Sequence, residues 1–188
     1  MVYRQRLSIS LFLLVLSLAL FLTSCGAQTT KAVDMQVSDD ANVLNINRVK
    51  TEANGLSRSI FIFTTANFPL DPAPDWMKDE ATKADYQKMM LASQFDTQTR
   101  DYMNEHGMDI AIGIDVKDRY VSIQSKDDVP LSNTEAKNAV SAFKTNFANN
   151  DYNTALLAML KNVKDTIAKN ESEHAWDGLW TTLKWIGV

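Results

Sequence analysis

The sequence predicts an α/β layer sandwich built on a small mixed sheet, and three stretches carry that reading. Ile60–Thr65 is an unbroken run of β-branched and aromatic residues, the composition of a strand covered on both faces. Asp109–Val116 and Arg119–Gln124 flank the tight turn Lys117-Asp118. Val121 and Ile123 alternate there with Ser122 and Gln124, as in the second arm of an antiparallel hairpin. Ser132 and Glu135 form a capping box at the head of a helix whose apolar face is Ala136, Ala139, Val140, Phe143 and Phe147. The resulting order, α-β-α-β-β-α-α, suits helices layered on a sheet.

The remaining elements follow from local signals. Asn45 is a good N-cap for a helix over Asn45–Asn54, with Ile46, Val49 and Ala53 on one face and Gly55 as terminator. Asn67–Asp75 holds Pro69, Pro72 and Pro74 and reads as an irregular loop. Asp79–His106 reads as helix in two pieces, broken near Phe95 and Asp96. The first strand, this helical crossover and the second strand then make a right-handed parallel unit. After Asn149, Asn150 and Asp151, the spacing of Leu156, Met159, Leu160, Val163 and Ile167 predicts a core-facing helix.

The amino-terminal segment belongs to a different problem. Met1–Arg6 carries two arginines and no acid, and Leu7–Leu22 is apolar apart from Ser8, Ser10 and Ser17. That is the layout of a secretory signal peptide over residues 1–24, too short for a spanning helix. Leu22-Thr23-Ser24-Cys25 resembles the lipobox of bacterial lipoproteins. The resemblance implies a diacylglyceryl group on the Cys25 sulfur, cleavage before it, and a position outside the cytoplasm on a membrane surface. Two acyl chains give a stable anchor, at about 0.8 kcal/mol per buried methylene. Residues 25–37 then read as a lipidated tether.

Cleavage leaves 164 residues, with 17 basic against 23 acidic side chains and a net charge of −6. A single core suits that length. The charge offers no basic stripe for phosphates, which argues against nucleic acid. Cys25 is the one cysteine, so an intrachain disulfide is excluded. Trp176, Leu179, Trp180 and Leu183 share a helical face, followed by Trp185 and Ile186. Residues 171–188 are read as a separate Trp-rich helix, closing over the domain core in preference to lying in a bilayer interface.

Across residues 38–170 the chain resembles the TPM domain, named for thylakoid-lumen, phosphatase and methanol-dehydrogenase-associated proteins. Val37, Asp39, Ala41 and Leu44 match its V-x-D-x-A-x-x-L opening, Gly107–Ile123 its glycine-led hairpin, and Phe143–Leu160, with Asn150-Asp151-Tyr152 inside, its closing helices. The resemblance implies a Rossmann-like α/β/α sandwich with a small mixed sheet and helices on both faces. It also implies an exported protein that is a metal-dependent acid phosphatase, a calcium binder, or an assembly factor for membrane complexes.

Ligands in open α/β sheets bind beyond the carboxyl ends of the strands. Asp39, Asp40, Asn67, Asp71, Asp115 and Asp118 all fall near such ends, and their hard oxygens suit Ca²⁺ or Mg²⁺. Each also has a plainer role, in helix capping or turns. His106 and His174 belong to no paired-histidine motif, and no nucleophile elbow or phosphate loop is present. Tyr102–Gly107 stands where the family places Trp-x-x-Gly, and Ser125–Asp128 where it has Gly-x-Gly. The expected function is therefore a non-catalytic binding or assembly factor for an envelope partner, with metal-dependent phosphatase and calcium-binding module as alternatives. If Cys25 is the anchor, Cys25→Ser should abolish palmitate labelling and release the chain from membranes; unchanged partitioning would refute the anchor.

Overall fold

The computed structural model describes residues 34–148 and 150–186. In chain order the elements are β1 (Met35–Asp39), α1 (Ile46–Ala53), β2 (Ile60–Thr65), α2 (Glu80–Glu105), β3 (Ile110–Asp115), β4 (Tyr120–Ser125), α3 (Asn133–Asn146) and α4 (Tyr152–Ile186). The sheet order is β1-β2-β3-β4. β1 pairs parallel with β2, β2 parallel with β3, and β3 antiparallel with β4. This is the expected α/β sandwich on a small mixed sheet, with helices on both faces.

Three boundaries differ from the expectation. β1 lies largely inside the stretch read as tether. Only Met35 and Val37 of its five residues are apolar, so the alternation is too short to stand out, and pairing with β2 makes it a strand. α2 is one helix of 26 residues, because nothing at Phe95-Asp96 breaks it and Phe95 is fully buried. α4 runs on for 35 residues, so the carboxyl-terminal stretch continues that helix. The surroundings of Trp176, Trp180 and Trp185 lie outside the described residues, as do Cys25 and the leader.

The capping signals act as read. The Asn45 side chain accepts from the Arg48 N–H, and Gly55 adopts φ +92° beyond α1. Ser132 and Glu135 cap α3 reciprocally. The β3–β4 turn uses four residues, with Arg119 left-handed at φ +53°.

The strands divide the core by the parity of side chains. Ile60, Ile62, Ile110, Ile112, Ile114, Val121 and Ile123 face α1, α3 and α4, where they meet Val49, Phe143, Leu156, Met159 and Val163. Phe61, Phe63 and Ala111 face α2 and pack on Leu91, Phe95 and Met103. Both parallel connections step the same way across the sheet, yet α1 and α2 cover opposite faces. The two units are therefore of opposite hand, and the usual right-handed rule holds for one of them.

Gly113 sits where α2 presses closest on the sheet. A Cβ there would stand 2.5 Å from Phe63 Cζ and 2.8 Å from Thr99 Oγ1, and both side chains are buried. Gly113→Ala should cost about 1–3 kcal/mol, as overpacking of a filled core does. Chemical denaturation checks this; an unchanged midpoint would show that the ring and hydroxyl can yield.

Candidate functional site

The opposite hands of the two parallel units create a crevice. Beyond β1 the chain leaves toward α1, and beyond β2 it leaves toward α2. Adjacent strands with diverging connections open a cleft at their carboxyl ends, the usual ligand position in such sheets. Here a groove of about 420 Å³ begins at those ends, beside Asp40, Thr65 and Phe68, and runs back along β1 and β2 on the α2 face to Gln36, Phe61 and His106. It stays open because α2 packs across β4, β3 and β2 but not over β1.

Rings pack one side of this groove. Phe61 and His106 stack at 4.0 Å between centroids, and Tyr102 sets its edge to Phe61 and Phe63 at 6.0 and 4.9 Å. Phe68 meets Phe95 edge-on at 5.2 Å. Polar groups hold the rings in place: His106 Nδ1 lies 3.0 Å from Gln36 Oε1, and Gln98 Nε2 donates to the Tyr102 hydroxyl at 3.3 Å. Rings whose tilt is held by packing and hydrogen bonds make a pre-formed apolar surface with a polar margin, the composition of a binding cleft. A second cleft of about 490 Å³ lies between β4 and α3, lined by Ser122, Gln124, Lys137 and Lys144 among others. It sits away from the diverging strand ends and has Tyr120 as its one aromatic ring.

The expected carboxylate rim is split by the sheet. Asp39 shares the parity of Met35 and Val37 and stands on the α1 face; Asp115 shares the parity of Ala111 and Gly113 and stands on the α2 face. Asp39 is also fully engaged. Its Oδ1 accepts from the Thr64 hydroxyl at 2.6 Å and the Val43 N–H at 3.1 Å, and Oδ2 from the Leu44 N–H at 2.8 Å. The Thr64 hydroxyl in turn accepts the Ala41 N–H at 3.1 Å. Asp39, Ala41 and Leu44 of the sequence motif thus describe one pinned loop. Asp40 is exposed and accepts from the Ser38 hydroxyl. Asp71 is exposed and accepts from Gln94 Nε2 at 3.2 Å, and Asn67 is exposed on the loop after β2.

Asp115 and Asp118 are the two that come together. Asp115 is fully buried. Its Oδ1 accepts from the Phe68 N–H at 3.3 Å, while Oδ2 has no partner. Burial pushes its carboxyl above the usual carboxylate range, and Asp118 adds to this against the Phe68 and Lys117 N–H groups. Asp115 Oδ2 and Asp118 are the donors that a Ca²⁺ or Mg²⁺ ion could share, but two carboxylates, one fully buried, fall short of the oxygen shell such an ion takes. Among the described residues no three His, Cys, Asp or Glu side chains converge as a metal site.

The sequence reading missed the groove itself. Gln36, Ser38, Gln98, Tyr102 and His106 belong to no chemical motif, and only the pairing of β1 with β2 brings them together. No protein-family model matches this chain, and no curated protein does. Among solved structures it is similar to the N-terminal domain of the cg2496 protein from Corynebacterium glutamicum, at 12% identity and a TM-score of 0.49, covering 76% of this chain and 84% of that one.

A buried acid with a raised pKa favours folding below its ordinary value of 3.8, and that contribution is lost as pH rises through the folded-state value. Asp115→Asn keeps an acceptor for Phe68 and removes the titration. With a chelator present, the variant should unfold at a higher temperature than the parent at about pH 7, the gap closing toward about pH 4. A pH-independent gap in thermal denaturation would contradict this.

Proposed function

We propose that this chain is a lipid-anchored cell-envelope protein that binds or helps assemble a membrane-associated partner, without catalysing a reaction. The groove along β1 and β2 on the α2 face carries the reading. It combines pre-packed rings with amide, hydroxyl and carboxylate groups at its margin, which suits recognition of another molecule's side chains. Of the carboxylates a phosphatase would use, Asp40 alone lines the groove, and two of the others are already engaged. Asp39 is held by a hydroxyl and two backbone amides, and Asp71 by Gln94. The lipobox-like Leu22–Cys25 and the resemblance to the TPM domain agree with an exported, membrane-tethered position. With an acidic mature chain, the partner is expected to be a protein and not a nucleic acid.

Capture of the tagged full chain from detergent-solubilised membranes of its host tests the reading. A partner should be enriched with the parent and lost with Tyr102→Ala, which removes a wall of the groove. The purified protein should leave p-nitrophenyl phosphate unhydrolysed with Ca²⁺ or Mg²⁺. Metal-dependent turnover that disappears in Asp115→Asn would replace this reading with a phosphatase, and calcium binding without turnover or partner would make the chain a calcium-binding module.

A further inference from the structure

β1 is an edge strand, and its hydrogen-bonding parity determines which backbone groups are available. The Ile60 N–H bonds to the Asp34 carbonyl. In a parallel ladder alternate residues face the neighbour, so Asp34, Gln36 and Ser38 turn toward β2 while Met35 and Val37 turn their N–H and C=O outward. Among the described residues no hydrogen bond reaches those outward groups. β1 also lacks the usual guards of a sheet edge: its five residues, Met-Gln-Val-Ser-Asp, include no lysine and no proline. The groove opens directly beside it, where α2 stops short.

Resting on the groove as the functional site, we propose that β1 takes a fifth strand, an extended segment of a partner protein with alternating apolar residues between basic ones. Each layer of the site supplies one part of that description. Met35 and Val37 give the backbone pairing. The groove-side rings, Tyr102 and His106 over Phe61 and Phe63, receive every second side chain of the added strand. Asp34 and Asp40, one at each end of β1 and both of groove-side parity, are exposed carboxylates that favour a cation at each end of the segment.

Those same acids argue against a second copy of this chain as occupant. A twofold pairing of β1 with itself about Val37 would set Asp34 of each copy opposite Asp40 of the other, and like charges directly across a pair are unfavourable. It would also offer the aromatic groove nothing but Gln36 and Ser38. Strand addition by a foreign segment has neither fault, since backbone pairing supplies affinity and alternate side chains supply selectivity.

The test uses a fluorescein-labelled heptapeptide, Lys-Thr-Leu-Thr-Leu-Thr-Lys, titrated into the purified mature chain with fluorescence anisotropy as readout. Its lysines and leucines share one face and match the span Asp34–Asp40. Saturable binding is expected, at least tenfold weaker for the glutamate-ended peptide and for a peptide N-methylated on the edge that meets β1. Val37→Pro removes an outward N–H and also trims a side chain packed on the core, so Val37→Ala is the packing control. Both should keep a folded circular dichroism spectrum, and affinity should fall at least tenfold for Val37→Pro but not for Val37→Ala. Absence of binding by the lysine peptide, or affinity undiminished both by Val37→Pro and by N-methylation of the peptide, overturns strand addition. If Tyr102→Ala alone weakens binding, the groove stands as the site and edge pairing fails; if neither variant matters, both readings fail.

Discussion

The carboxylate of Asp39 is the interaction on which the rest of the architecture turns. It ends β1, ties to the Thr64 hydroxyl on β2 and receives the Val43 and Leu44 N–H groups of the departing loop. Hydrogen bonds to a charged acceptor contribute about 1.5–3 kcal/mol each, and together these leave the chain one direction of exit. Asn153 on α4 completes the corner, accepting from the Asn45 N–H and donating to the Val43 carbonyl. α1 is thereby delivered to the α4 side. Because α2 goes to the other side, the sheet parts its connections between β1 and β2. The groove is a result of that divergence.

This gives the carboxylate a structural meaning different from the catalytic one its position suggests. An aspartate at a strand's carboxyl end looks the same in sequence whether it binds a cation or pins a loop. The distinction lies in how many donors already surround it. Asp39 has three, while Asp115 has one and an unpartnered, buried oxygen. Sheet parity then separates the two, so that Asp39 and Asp115 have no common space to enclose.

Most of the core was legible because it obeys simple periods. The isoleucines of β2 and β3, the capping box of α3 and the stripe of α4 each declare themselves within a few residues. β1 was not, since Met35 and Val37 are a two-point pattern and the strand exists through its pairing with β2. The unity of α2 was obscured by its mostly polar surface, whose buried line, Leu91, Phe95, Thr99 and Met103, includes a threonine. The site was the least legible part. Gln36 and His106 are 70 residues apart, and no spacing rule links a glutamine on an edge strand to a histidine at a helix end.

Gly113 gives the groove an indirect control. Its missing side chain lets the Phe63 ring lie close against β3, and that ring supports Tyr102 in turn. The depth of the cleft is thus set from beneath, by a residue that no visiting molecule touches. Descendants of this chain could reshape what they recognise by trading bulk between positions 63, 99 and 113, leaving every exposed contact as it was.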